Sequence, residues 1–325
     1  MLGPGFEART LPLDDDEEGD VVATLVRYAP SSAGLAGLLP RRRRRFTVLY
    51  LHGWSDYFFQ AELARFWHDL GGRFYALDLR KFGRSLRDHQ TPGYVNDIAT
   101  YDEDLRAALR LLGEDDRVAA ERLVLMGHST GGLVASLWAD RHPGRLIGLV
   151  LNAPWLEIPG ATFLRTVSTP VVEQLARLQP KHPLPQVDPG FYGRTVAAFE
   201  SRPWVLDERW RPGFSMPVRP GWLLAMLTGH ARVAAGLAID APVLVLSSDR
   251  SIISRTWSDD MRSSDVVLDV ELVARRALAL GPVVTVVRVT GAVHDVVLSQ
   301  RPARDRAYAE MRRWARGYLG AGPAR

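Results

Sequence analysis

Short apolar runs rich in β-branched residues recur along the chain and alternate with segments of helical periodicity, and this alternation leaves few folds open. The runs cover residues 21–28, 46–51, 73–79, 122–126, 146–151, 243–246 and 283–289. The later ones are almost continuously apolar, as parallel strands covered by helices on both faces must be. Between them, the spacing predicts helices over 62–70, 98–112, 133–141 and 270–280. The second opens on an acidic first turn (Asp102, Glu103, Asp104), the third stops at His142-Pro143-Gly144 and the fourth at Gly281-Pro282. Strands alternating with helices predict an α/β fold with a mostly parallel, doubly wound sheet.

The rhythm breaks between about 155 and 240. That stretch is rich in proline, holds Trp204, Trp210 and Trp222 in its interior, and has no run resembling a buried parallel strand. It reads as an inserted helical cap, which divides the chain into a first core part (1–154), the cap (155–240) and a second core part (241–325). Hydrophobic residues make up 46% of the 325, enough for a sizeable buried core.

Composition narrows the chemistry. There is no cysteine, so disulfides, thiolate metal sites and cysteine nucleophiles are excluded. Net charge is +4 with both signs spread along the chain, and neither a basic stripe nor a nucleic-acid motif is present. The N-terminus has no basic start followed by an apolar run, and no stretch approaches the roughly 18 apolar residues of a membrane span. A cytoplasmic protein is expected. The arginine run 41–45 reads as a solvated turn, with contact to an anionic membrane surface as the sharper alternative.

Chemistry concentrates at Gly127-His128-Ser129-Thr130-Gly131. A G-x-S-x-G pattern is weak alone, but this one follows an apolar run and precedes a helix, the strand–turn–helix setting of a nucleophile elbow. Ser129 is therefore the candidate nucleophile, and it needs a base. His142, His182, His230 and His294 follow it, and only His294 lies in the loop after the last strand, where ligand-facing residues of open α/β sheets collect. The acid should follow the penultimate strand. Asp265 leaves room for one helix and one strand before His294, whereas Asp249 requires a further excursion; Asp265 is preferred, with Asp249 and Asp269 as alternatives. Acyl transfer also needs an oxyanion hole. Its expected donors are the backbone N–H groups of Thr130 and Trp54, the latter in the loop after strand 46–51. His52 is read as bracing that loop.

With these residues in view, LHGW at 51–54, LDLRKFGRS at 77–85, GHSTGG at 127–132, Asp265-Val266-Val267-Leu268-Asp269 and GAVHD at 291–295 resemble the α/β-hydrolase superfamily. More narrowly, the chain resembles the monoacylglycerol lipase and lysophospholipase branch, also called serine aminopeptidase-like. The resemblance covers about 20–155 and 240–320. It implies an α/β-hydrolase fold, a cap over an acyl pocket, and an Asp opening the last helix, which supports Asp265. It departs at Arg80-Lys81-Phe82-Gly83, where the branch usually has R-G-x-G, and in the long acid-bearing loop. The expected activity is cleavage of a lipid-like or small apolar carboxylic ester through Ser129, His294 and Asp265, with no metal or organic cofactor. An acyltransferase or peptidase using the same triad, and a non-catalytic binding protein on the same fold, are the alternatives.

Overall fold

The computed structural model describes residues 2–30, 45–115, 121–158, 169–185, 188–197 and 206–320. Eight strands form one sheet: β1 (Phe6–Pro12), β2 (Val22–Tyr28), β3 (Phe46–Leu51), β4 (Gly72–Asp78), β5 (Leu123–His128), β6 (Leu146–Asn152), β7 (Val243–Ser248) and β8 (Val284–Val289). Their spatial order is β1-β2-β4-β3-β5-β6-β7-β8. β1 and β2 pair antiparallel to each other, and β2 antiparallel to β4. From β4 to β8 every pairing is parallel.

Eight helices accompany the sheet among the described residues: α1 (Ala61–Asp69), α2 (Tyr101–Asp115), α3 (Thr130–Arg141), α4 (Thr169–Leu178), α5 (Phe191–Ala197), α6 (Pro220–Ala234), α7 (Val270–Ala277) and α8 (Arg301–Tyr318). α2 buries Tyr101, Leu105, Ala108 and Leu112, the i, i+4, i+7, i+11 stripe of an amphipathic helix, against one face of the sheet. α3 and α7 join it there through Leu133, Leu137, Val273 and Ala277. α1 and α8 cover the other face with Leu63, Trp67, Met311 and Trp314. Both faces of β3, β5 and β7 are therefore dry, and every residue of these strands is buried. This is the physical reason their sequences run apolar without alternation.

Each of the expected strands corresponds to a strand within a residue or two at either end. β1 has no counterpart among them. It is an edge strand in which only Leu11 is buried, so its sequence FEARTLP carries no apolar run. The same holds for α8, whose polar face dominates its composition.

The 155–240 stretch contains α4, α5 and α6 and no strand among its described residues. α6 lies across α3 and the turn at Ile98–Thr100. Trp204 and all of the arginine run except Arg45 lie outside the described residues; the Arg45 guanidinium donates to the Gly320 carbonyl at 3.0 Å. Among the described residues, no helix is long and apolar enough to cross a membrane.

At the departure from R-G-x-G, Lys81 holds a φ of +63°, a conformation that favours glycine. Its side chain is 1% exposed, and its ammonium pairs with Asp16 at 2.5 Å and Glu18 at 2.7 Å. A buried cation with two carboxylates thus occupies a turn where the branch usually has a glycine.

Candidate active site

The chain leaves β3 for β4 on one side of the sheet, then crosses back to β5 on the other. β3 and β5 are neighbours, so their C-terminal ends flank a topological switch point, where open α/β sheets form a crevice. The loop after β3 carries Gly53 and Trp54, and the turn after β5 carries Ser129.

Ser129 has φ 51° and ψ −117°, a strained conformation for a residue with a side chain. Glycines make the turn possible. A Cβ on Gly127 would fall 2.3 Å from the Gly131 carbonyl oxygen, and one on Gly131 would fall 2.3 Å from that of His52. No side chain fits at either position. Ser129 is the N-cap of α3, which opens at Thr130, so the serine sits at the N-terminal end of a helix whose first N–H groups have no intrahelical acceptor. A Cβ on Gly53 would lie 3.2 Å from the Ser129 Cβ, so the Gly53–Trp54 loop rests directly against the serine. His52 holds that loop: its Nε2 accepts from the Leu79 N–H at 3.0 Å and its Nδ1–H donates to the Gly53 carbonyl at 2.7 Å.

The Ser129 hydroxyl lies 3.0 Å from His294 Nε2, and His294 Nδ1 lies 2.9 Å from Asp265 Oδ2. Asp265 is fully buried, and its other oxygen accepts from the Val267 and Leu268 N–H groups, both at 2.8 Å. The long loop after β7 folds back so that Ser251 and Asp265 form a parallel bridge. This return brings Asp265, and not Asp249, to the imidazole. The Asp249 carbonyl accepts from Arg288, and Asp269 caps α7 by accepting from the Glu271 and Leu272 N–H groups.

Several residues at the site escaped the sequence reading. Asp295, next to His294, accepts from Asn152 at 2.6 Å and Gln60 at 3.2 Å, pinning the histidine loop to the ends of β6 and α1. Their signal was faint: single polar residues at the ends of apolar runs. His128 sits beside Ser129 with its ring 5.0 Å from that of His294. Burial pushes its pKa down to about 4, so it is neutral at neutral pH. Tyr192 on α5 sets its ring edge-on to His294 at 5.1 Å. Arg211 lies over the Tyr192 ring at 4.9 Å and pairs with Asp56 at 3.2 Å. No motif links these last three residues, because they come from separate parts of the chain.

Burial raises the Asp56 carboxyl from 3.8 to about 7, against the opposing pull of Arg211. The folded protein therefore binds this proton more tightly than the unfolded chain does. The stability that Asp56 contributes is fully present below about pH 4, is lost as pH rises toward 7, and is level above that. Melting temperatures of wild type and Asp56→Asn between pH 4 and 8 check this: the wild type should lose ground to the variant up to about pH 7 and no further.

Sheet order, the strained turn at Ser129 and the hydrogen-bonded Ser129, His294 and Asp265 at the strand ends mark an α/β-hydrolase. The family model described as Hydrolase_4, serine aminopeptidase S33, matches residues 42–258, and the chain belongs to that family. A monoacylglycerol lipase of Mycolicibacterium smegmatis is 27% identical over 263 residues, covering 75% of this chain and 88% of the relative. Among solved structures, a soluble variant of monoglyceride lipase from Saccharomyces cerevisiae, in complex with a substrate analogue, superposes with a TM-score of 0.66. That match has 15% identity and covers 95% of this chain and 96% of the other. The monoacylglycerol lipase of Paleococcus ferrophilus gives 0.60 at 18% identity, over 86% and 96% of the two chains. At these identities the structures attest the fold.

Proposed function

We propose that the protein hydrolyses carboxylic esters with apolar acyl groups through an acyl-enzyme on Ser129. The Ser129 hydroxyl attacks the ester carbonyl while His294 Nε2 takes its proton. Asp265 accepts from the His294 Nδ1–H, fixes the tautomer and stabilises the imidazolium. The Trp54 and Thr130 N–H groups hold the oxyanion. The imidazolium gives its proton to the departing alkoxide, and water, deprotonated by the same imidazole, releases the acid and frees Ser129.

The observation that carries this reading is the unbroken hydrogen-bonded chain from Ser129 Oγ through His294 to the buried Asp265 carboxylate. The relatives named as monoacylglycerol lipases support an ester of lipid-like character. A fluorophosphonate probe tests the reading: it should label the wild type stoichiometrically and leave Ser129→Ala unlabelled. A wild type that stays unlabelled would overturn it.

A further inference from the structure

His294 must protonate the leaving alkoxide, so the alcohol portion of the ester lies on the His294 side of Ser129. The His294 loop packs with Ala292 and Val296 on one face of the sheet, whereas Trp54, Trp155 and Trp222 pack on the other, so an acyl group leading away from His294 heads toward the tryptophans. The Trp155 backbone N–H donates to the Ser129 backbone carbonyl at 3.0 Å, which sets the main chain at Trp155 beside the nucleophile turn. Trp222 enters from cap helix α6 and is 2% exposed. Its indole lies 3.9 Å from that of Trp54 and 5.8 Å from that of Trp155, the latter pair stacked at 21°.

This wall is held from several directions. The Trp54 indole N–H donates to the Met216 carbonyl at 3.3 Å, and its ring meets Phe82 edge-on at 5.5 Å. A Cβ on Gly93 would fall 2.8 Å from the Trp54 ring, so the backbone itself abuts the indole. Trp155 is gripped by His230, whose Nε2 meets the Trp155 carbonyl at 2.9 Å and whose ring stands edge-on at 4.6 Å. Side chains braced this closely do not swing aside at small cost, because moving one opens a void among the others.

We infer that Trp54, Trp155 and Trp222 form a rigid aromatic stop on the acyl side of Ser129, so that the enzyme selects esters of short acyl groups and rejects long fatty chains. The inference rests on the proposed ester hydrolysis and narrows its substrate class. The reason is positional. Trp54 is the proposed oxyanion donor, so its own indole stands only a few atoms from the carbonyl carbon. A short acyl group ends against indole faces, whereas a long one must displace the Trp54–Trp222 pair.

The test is a p-nitrophenyl ester series from acetate to laurate, read as the ratio of kcat/KM for octanoate to that for butyrate in each protein. In the wild type, butyrate should exceed octanoate by about tenfold or more, the discrimination that a few methylenes against a pocket wall supply. Trp222→Ala and the milder Trp222→Leu should each raise the octanoate-to-butyrate ratio by about tenfold, as should Trp54→Ala, which keeps the backbone N–H. The ratio is internal to each protein, so partial loss of folded enzyme does not distort it. A wild type that turns over octanoate or laurate as well as butyrate would overturn the inference, as would variants that keep the wild-type ratio. Neither result touches the ester-hydrolase reading, which fails only if no ester is turned over and the fluorophosphonate does not react.

Discussion

Ser129→Ala is expected to lower kcat/KM for p-nitrophenyl butyrate by about 10⁴-fold or more while leaving the melting temperature nearly unchanged. In the proposed mechanism the hydroxyl oxygen forms the covalent intermediate, and it stands 3.0 Å from His294 Nε2. Removing it leaves the proposed oxyanion donors intact, so a residual rate above the uncatalysed one should survive. The fold should tolerate the change. Alanine can adopt the φ of 51° no less readily than serine, and the neighbouring glycines carry the close contacts of the turn. Steady-state kinetics and a thermal melt on the same preparation check both halves. A variant that keeps a tenth of the activity would remove Ser129 from the mechanism.

Asp265→Asn should cost about 10³- to 10⁴-fold in kcat, with KM little changed, because the amide presents an N–H where the imidazole N–H must donate and so selects the wrong tautomer. Asp249→Asn should keep most of the activity, since the Asp249 backbone carbonyl, and not its carboxylate, makes the contact with Arg288. The comparison is sensitive to the geometry of the acid loop. Asp265 is held by two backbone N–H groups and by the bridge to Ser251, so its carboxylate is fixed before any substrate arrives. If Asp249→Asn were the inactive variant, the acid loop would have to adopt another path during turnover.

The long acid loop and the lysine at 81 are the two departures from the pattern that the sequence otherwise resembles. The loop is accommodated by running out and back, so that its return, and not its exit from β7, presents the acid. Lys81 is accommodated by Asp16 and Glu18, which neutralise it where it is buried. Neither change reaches the distance between Ser129 and His294.

What the sequence by itself determined follows from local chemistry. Strands buried on both faces must be apolar throughout, so β3, β5, β6 and β7 were legible as runs. The elbow was legible because the backbone at Ser129 needs glycine at 127 and 131, where a Cβ would meet carbonyl oxygens at 2.3 Å. His294 was legible because a single histidine follows the last strand, whereas the chain length between acid and base favoured Asp265 but left Asp249 and Asp269 open. Edge strand β1 and helix α8 were not legible, since surface elements carry too little apolar pattern. Only the tertiary structure decided which carboxylate meets the imidazole, because the bridge between Ser251 and Asp265 is a non-local pairing that spacing merely permits. Only it joined Asp56, Tyr192 and Arg211 beside His294, and Trp54, Trp155 and Trp222 beside Ser129. Those groups come from both the sheet-forming parts and the 155–240 stretch, and contact between residues so far apart in the chain is set by how that stretch packs on the rest, which no local pattern encodes.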